Sequence, residues 1–171
     1  VPRCPHFEYL AEGVYFYPEV LKYGKNSHWW GNNLKKGINF ENLAFEYCSD
    51  RILDDYEENG GKPFTGITYE LYDNGRIVYY CYYVNGFPEG DFVRFFRDGT
   101  FRSFSKMKRG RCTETTEWYQ DGQVKEKGTY NCGICVSNEK WDEQGNLVYE
   151  KVGPTESEIL LIEKLSSVNY E

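Results

Sequence analysis

A repeat of 23 to 24 residues constrains the fold of this chain more than any other feature of its sequence. Its four blocks begin at Gly66, Gly90, Thr113 and Val136. The tenth residue of each block is a glycine preceded by a polar residue, and the pairs are Asn74-Gly75, Asp98-Gly99, Asp121-Gly122 and Gln144-Gly145. Asn-Gly and Asp-Gly are strong hairpin signals, because a type I′ turn needs a positive φ at both central residues. Each block is therefore predicted to be two strands joined by a type I′ turn. Further glycines close the first three blocks, at Gly86, Gly110 and Gly133.

The apolar residues follow the same period in two columns. The sixth residues of the blocks are Leu71, Phe95, Trp118 and Trp141. The residues two past each turn glycine are Ile77, Phe101, Val124 and Leu147. A charged column precedes the first of these, at Glu70, Arg94, Glu117 and Lys140. Side chains alternate faces along a strand, so the charged column must point away from the apolar one. The pattern predicts a mainly β fold, an elongated antiparallel β-meander over about residues 64–152, whose repeats bury a face only by stacking.

Aromatic residues make up 18% of the chain, and the repeat places them on both faces of the predicted sheet. Tyr72, Phe96 and Tyr119 follow the first apolar column and are expected on the opposite side from it. The residues that could add to either face are Tyr80, Tyr82 and Phe104. A sheet with aromatics on both faces needs a cover on one of them, either a flanking segment or a partner. Tyr and Trp dominate binding hot spots, so Tyr72, Phe96 and Tyr119 are candidate partner-binding residues.

These blocks resemble MORN repeats. The segments that carry the resemblance are G-I-T-Y-E-L-Y-D-N-G (66–75), G-D-F-V-R-F-F-R-D-G (90–99), W-Y-Q-D-G (118–122) and W-D-E-Q-G (141–145). They are most similar to the bacterial variant found in antitoxins of toxin–antitoxin systems, and N-G-G-K-P-F-T-G (59–66) is similar to the opening of such arrays. The resemblance covers about residues 56–153. It implies a β-meander with MORN-like hairpins and, in bacteria, neutralisation of a co-encoded toxin. The chain departs from the pattern where the fourth block ends early, at Gly153-Pro154, and where Cys112 and Cys135 stand in the place of Glu89.

The flanks suggest three parts. Residues 1–60 form an aromatic-rich segment of mixed structure or degenerate repeats, residues 61–153 form the repeat sheet, and residues 154–171 form a helix and tail. Thr155 to Glu158 has the T-x-x-E form of a capping box and precedes an apolar run. We expect a C-terminal helix from about 156 to 166 that caps the sheet, with helical oligomerisation as the alternative. Before residue 60, a short helix is expected at 18–22 and a strand at 44–47.

The aromatics of the N-terminal segment, including Phe40, Phe45 and Tyr47, are expected to pack in a core. Trp29 and Trp30, beside His28, could form either a ligand pocket or part of that core. The acidic cluster before the first repeat consists of Asp50, Asp54, Asp55, Glu57 and Glu58. Asp54, Asp55, Glu57 and Glu58 are candidate partner-binding residues that would meet a cationic active site. The alternative is a solvated loop.

The net charge of −7 and the pI near 5.0 disfavour direct binding to nucleic acid and favour a basic protein partner. The alternative is that acidity only maintains solubility.

The longest apolar run, Ile159–Ile162, is far too short to span a bilayer, so no membrane insertion is expected. The sequence lacks a secretory leader pattern, which predicts a cytoplasmic protein. It begins at Val1 rather than Met, which leaves a processed, secreted or periplasmic chain as the alternative.

No catalytic, metal or cofactor site is predicted. Cys132 and Cys135 form a C-x-x-C motif, but Gly133 places it in a hairpin, and no second motif supplies further zinc ligands. Cys112 and Cys135 are equivalent repeat positions, expected to lie on neighbouring parts of the sheet as small apolar residues, with reduced thiols. The histidines, His6 and His28, lie outside the repeats, and no P-loop, G-x-G-x-x-G or G-x-S-x-G motif is present.

The leading hypothesis is an antitoxin or immunity-type protein that binds a cognate toxin, expected to be basic and to act on nucleic acid. The alternative is a MORN-type scaffolding module that binds protein or membrane partners, against which the acidic charge counts. An enzyme that uses the N-terminal histidines is a third hypothesis.

Overall fold

The computed structural model describes residues 37–167, and its main feature is a nine-stranded sheet. The strands in chain order are β1 Ile38–Asn39, β2 Ala44–Phe45, β3 Ile52–Leu53, β4 Gly66–Leu71, β5 Ile77–Val84, β6 Phe87–Phe95, β7 Phe101–Lys108, β8 Arg111–Trp118, β9 Val124–Asn131, β10 Ile134–Trp141 and β11 Leu147–Lys151. From β4 to β11 each strand pairs antiparallel with the next, while β1 pairs in parallel with β4. β2 and β3 form a separate two-stranded sheet, and helix α1 spans Glu156–Ser167. The predicted mainly β meander with a C-terminal helix is confirmed.

Two kinds of hairpin turn alternate along the meander. The turns that were predicted to be type I′ are of a different type. Only the glycine has a positive φ, for example 78° at Gly75, in the four predicted pairs Asn74-Gly75, Asp98-Gly99, Asp121-Gly122 and Gln144-Gly145. The Gly75 N–H donates to the Tyr72 carbonyl over 2.9 Å, and Tyr72 N–H donates to Arg76 O over 2.7 Å, so the turn is type I followed by a left-handed glycine. The Asn74 side chain accepts the Arg76 N–H, which is the reason for a short polar residue at this position.

Type I′ turns occur instead at the opposite end of the strands. Their two-residue loops, both residues with positive φ, are Asn85-Gly86, Arg109-Gly110 and Cys132-Gly133. The sheet therefore has two rows of turns. We name the row at Tyr72–Arg76, Phe96–Thr100, Tyr119–Gln123 and Asp142–Asn146 the five-residue turn row, and the other the two-residue turn row.

The apolar columns meet on one face of the sheet and form its main core. The buried residues of this cluster are Tyr80, Val93, Phe95, Phe101, Trp118 and Val124, and Tyr69, Ile77, Phe104 and Trp141 pack against them. The rings of Phe95 and Phe101 stack with centroids 5.2 Å apart. Leu71 and Leu147, from the first and last blocks, are 42% and 49% exposed, because each block buries its apolar residues against the next and the end blocks have a neighbour on one side only.

The opposite face is divided into a covered half and a polar half. The charged column lies on this face as predicted. Arg94 of β6 and Glu117 of β8 are both paired with Ser103 of β7, so their side chains lie on the same face of the sheet. Over β4 to β6, residues 40–64 cover this face with a second cluster formed by Ile52, Phe64, Cys81 and Tyr83, against which Phe40, Leu43 and Phe92 pack. Over β7 to β10 the face carries hydrogen-bonded polar residues, such as the Ser105 and Thr115 hydroxyls 2.9 Å apart.

The β2–β3 hairpin is attached to the sheet through the first two-residue turn. Gly86 donates its N–H to Phe64 O over 2.7 Å, and Gly86 O accepts the Ile52 N–H over 2.9 Å. Ile52 and Leu53 are almost fully buried, so β3 serves as the inner layer of this segment. The predicted strand at 44–47 is confirmed for Ala44–Phe45. The proposed division at residue 60 stays a prediction, although residues on both sides of it share the second cluster.

Helix α1 forms where the capping box predicts it. The Thr155 N–H donates to Glu158 Oε2 over 2.7 Å, and the Lys151 ammonium lies 2.8 Å from Glu158 Oε1. These contacts lower the pKa of Glu158 to about 2, the Lys151 hydrogen bond being the main cause. No residue of α1 is fully buried, although Ile162 and Leu165 are half-buried. The helix contacts the sheet through Lys151 of β11 and through the Cys132 thiol, which lies 3.5 Å from the Ser166 hydroxyl. The predictions for residues 18–22 and for His28, Trp29 and Trp30 fall outside the described residues.

Substituting alanine at Gly86 is expected to destabilise the fold far more than at Gly75. Both glycines have φ near +80°, but a Cβ on Gly86 would lie 2.5 Å from Ile52 O, whereas none of the described atoms lies within 4 Å of a Cβ on Gly75. Gly75→Ala should cost about 1 kcal/mol of backbone strain. Gly86→Ala has the same backbone strain and, in addition, pushes the β2–β3 hairpin away from the sheet. It should lower the free energy of unfolding by at least about 3 kcal/mol. Urea denaturation of both variants measures this, and equal losses would contradict the attachment.

Candidate functional site

Tyr72, Phe96 and Tyr119 stand in the five-residue turn row and not on an open sheet face. Each is the first residue after a strand and is half-buried. The Tyr72 hydroxyl donates to Phe95 O and the Tyr119 hydroxyl to Trp141 O, both over 2.9 Å. These bonds join one block to the next, so the tyrosines stabilise the stacking of repeats. The three residues are half-buried in turns and not fully outward. Their binding role stays a prediction.

Phenylalanine at Tyr72 or Tyr119 is expected to cost about 1 kcal/mol of unfolding free energy, since each hydroxyl makes one half-buried inter-repeat hydrogen bond. The ring itself is retained, so the loss reports on the hydroxyl alone. Urea denaturation of the two single variants checks this. Stabilities equal to that of the unmodified chain would show that the hydroxyls are equally well satisfied by water.

An open groove of about 560 Å³ lies between Phe96 and Tyr119 in this turn row. The residues that line it are Phe96, Arg102, Glu117, Trp118, Tyr119, Gln120, Asp121, Lys125, Glu143 and Gln144. The Lys125 ammonium lies 5.9 Å from the centre of the Tyr119 ring and 4.0 Å from Glu117 Oε2. The lining is mixed in charge, with two basic and three acidic residues, which gives the groove little preference for the charge of a ligand.

The predicted acidic residues lie at the other end of the strands. The loop that carries Asp54, Asp55, Glu57 and Glu58 belongs to the segment attached at Gly86, in the two-residue turn row. The eight residues of β5 separate this row from Tyr72, a distance of about 25 Å at 3.3 Å per residue. The structure therefore does not bring the predicted aromatic and acidic residues into one site.

Three of the four carboxylates hold the acidic loop in one shape. Asp54 Oδ1 accepts the Lys62 N–H over 2.6 Å, and Glu57 Oε2 accepts the Tyr47 N–H over 3.1 Å. Asp55 accepts the Tyr56 N–H and the Asn59 amide, and these hydrogen bonds, the Asn59 one foremost, lower the pKa of the Asp55 carboxyl. All four side chains are nevertheless exposed. The loop is thus an ordered and negatively charged projection.

The structure adds three aromatic residues that sequence reasoning assigned to a core or did not single out. Tyr47 is 84% exposed, Tyr56 64% and Phe45 60%. Glu57 follows Tyr56 in the chain, and its carboxylate accepts the Tyr47 N–H. This hydrogen bond brings the two tyrosines to the same part of the loop. We call Phe45, Tyr47, Tyr56, Asp54, Asp55, Glu57 and Glu58 the acidic–aromatic patch. Large aromatics held in the open on an ordered loop are typical of an interaction surface.

Charge is concentrated around this patch. Residues 41–62 contain seven acidic and two basic residues, a net −5 out of −7 for the whole chain. The repeat region from 66 to 153 is nearly neutral, with 13 acidic and 12 basic residues. This asymmetry, with aromatics interleaved among the acids, is the sequence signal that could have identified Tyr47 and Tyr56. A basic partner is attracted to this end of the molecule in preference to the rest of the sheet.

Among the described cysteines Cys81 is buried, Cys112, Cys132 and Cys135 are half-buried, and Cys48 is exposed. Burial raises the pKa of the Cys81 thiol to about 12, which makes it a poor nucleophile. Cys112 and Cys135 lie on β8 and β10 with β9 between them, and their thiols donate to Glu114 O and Ser137 O. Within residues 37–167, no three His, Cys, Asp or Glu side chains are grouped to bind a metal ion. In the same range no helix has the length and apolar character needed to cross a bilayer.

The chain is similar in part to a curated protein and to a solved structure. No protein-family model matches the chain. The solved structure "Crystal Structure of TarM" aligns with 79% of this chain and 24% of its own, at a TM-score of 0.33 and 13% identity, which is too distant to inform function. Over 56 residues the chain is 52% identical to "Immunity protein YwqK" of Bacillus subtilis (strain 168). That stretch is 33% of this chain and 36% of the relative, so the similarity spans about a third of each protein.

Proposed function

We propose that this protein is an immunity-type antitoxin, which binds a toxin protein and blocks its activity. The observation that carries the proposal is the 52% identity over 56 residues to a protein named as an immunity protein. At this identity the matched segments share a backbone and most of their side-chain environments. The repeats, whose turns and columns resemble MORN repeats, would act as the rigid support for the contact surface.

The acidic–aromatic patch supports a basic partner. Exposed carboxylates attract lysine and arginine side chains over a Debye length, about 8 Å at physiological salt. Tyr47 and Tyr56 can then stack on the same cations, since ammonium and guanidinium groups are drawn to aromatic faces. A toxin that cleaves or modifies nucleic acid needs a basic active site, so a toxin of this class would match the patch in charge. We propose that the protein acts without catalysis of its own, in the cytoplasm where such a toxin would be dangerous.

The test is neutralisation of the product of the adjacent gene, which we expect to be the toxin. Cells that express that toxin alone should stop growing, and co-expression of the full chain should restore growth. Purified chain should bind the purified toxin in titration calorimetry, and the affinity should fall as NaCl rises from 50 to 500 mM, because exposed ion pairs are screened. An unrelated toxin of similar charge is the control for nonspecific attraction. Failure to bind the adjacent product and to restore growth would refute the proposal.

A further inference from the structure

The last strand of the sheet, β11, presents an exposed apolar edge. Within the described residues β11 pairs with β10 only, which leaves the backbone groups of its other edge without a strand partner. The side chains of Val148, Leu147 and Tyr149 are 62%, 49% and 48% exposed. An unpaired edge of this length is a template for pairing with another strand.

Residues 37–167 do not supply the usual protections of an edge strand at this end of the sheet. The opposite end is closed by β1, which is only two residues long. Lysine on an edge normally discourages pairing, but the single lysine of β11, Lys151, is turned back towards the molecule. Its ammonium donates to Cys135 O on β10 and to Glu158 on α1, both over 2.8 Å. Helix α1 leaves the edge open and adds the exposed apolar residues Ile159, Leu160 and Leu161 beyond the Lys151 end of the strand.

We propose that β11 pairs with β11 of a second copy of this chain, in an antiparallel arrangement centred on Tyr149. In this register Tyr149 lies beside its own equivalent, Val148 lies opposite Glu150, and Leu147 lies opposite the aliphatic stem of Lys151. All five residues of the strand are paired, and no like charges meet. A register centred on Glu150, or a parallel pairing in register, would place two Glu150 carboxylates side by side. The strand is therefore complementary in charge to itself in the antiparallel arrangement about Tyr149.

A two-fold pairing of this kind joins two nine-stranded sheets into one and closes on itself, so it ends at a dimer. The contact is a single strand of five residues with its adjoining side chains, and its area lies at the low end for specific interfaces. We expect a dimer with a Kd of roughly 1 to 100 µM. The dimer contact is independent of toxin binding. The acidic–aromatic patch lies on the segment that covers β4 to β6, and these strands are at the opposite end of the strand order from β11.

Two substitutions of one residue test both the dimer and its register. Val148→Glu would set a glutamate opposite Glu150 twice, by symmetry, and should raise the Kd at least about tenfold. Val148→Lys would set a lysine opposite Glu150 twice and should leave the Kd within about threefold of the unmodified chain or lower it. The side chain of residue 148 is mostly exposed, so both variants should fold, which thermal unfolding by circular dichroism checks. Tyr47→Glu, a change at another exposed apolar residue, is the control and should leave the Kd unchanged.

Sedimentation equilibrium of the full chain from 5 to 500 µM supplies the measurement. A concentration-dependent dimer that Val148→Glu weakens and Val148→Lys retains would support the pairing. A monomer throughout this range would overturn it. A dimer lost equally with both variants would overturn the register, and a dimer affected only by Tyr47→Glu would place the contact elsewhere and overturn the proposal.

Discussion

Alanine at both Tyr47 and Tyr56 is expected to weaken binding of the toxin at least about 100-fold without loss of stability. Tyrosine is enriched among interface hot spots, whose truncation costs about 2 kcal/mol or more each. Both side chains are more than half exposed in the free protein, so their removal costs the fold little. Calorimetric titration of the double variant with the toxin measures the affinity, and urea denaturation verifies the fold.

A matched control is available in the same chain. Tyr82 and Tyr149 are also exposed tyrosines but lie on strands away from the acidic–aromatic patch, and alanine at both should change the affinity less than about threefold. Glu58→Gln tests charge alone, and it should weaken binding at low salt more than at high salt. Unchanged affinity of the Tyr47, Tyr56 double variant would show that the toxin binds elsewhere, even if neutralisation itself is established.

Alanine at Phe101 is expected to lower the free energy of unfolding by about 3 to 5 kcal/mol, the usual cost of removing a buried aromatic ring. Phe101 is buried between Phe95, with which it stacks, and Trp118, whose ring centroid lies 6.2 Å away. It therefore joins the second and third blocks, and the resulting cavity lies in the middle of the main core. Urea denaturation followed by fluorescence gives the free energy of unfolding.

Leu147 provides the comparison, because it occupies the equivalent position of the last block. Its side chain is half exposed and has a neighbouring block on one side only, so Leu147→Ala should cost less than about 1 kcal/mol. Equal losses at the two positions would mean that the repeats contribute evenly to stability, contrary to the burial observed.

Much of the fold could be predicted from the period alone. The two apolar columns and the charged column occur on the predicted faces because alternation along a strand is a local property that every block repeats. The turn type was wrong at Asn74-Gly75 because the same dipeptide fits a type I turn, in which Asn74 stays at negative φ and its side chain accepts the Arg76 N–H. True type I′ turns lie at pairs such as Arg109-Gly110 and Cys132-Gly133, whose first residues carry no turn signal.

The candidate site could be predicted in part. The charge of Asp54, Asp55, Glu57 and Glu58 follows from the sequence, and so does their exposure. The exposure of Tyr47 and Tyr56 does not, because an aromatic residue without periodicity is more often buried. Tyr72 and Tyr119 were placed on an open face by strand alternation, whereas both follow the end of a strand and the structure uses their hydroxyls to join repeats.

By itself, the sequence determined which residues share a face, where the chain reverses, and how many hairpins stack, since all three depend on contacts between residues close in the chain. Tertiary structure alone decided that residues 40–64 cover one half of the second face and that the acidic loop lies a full strand length from Tyr72. It also decided that no strand within residues 37–167 pairs with the outer edge of β11. These outcomes depend on which surfaces meet after the hairpins have formed. Burial against a distant segment is a sum over many weak contacts, and it leaves no local pattern in the chain.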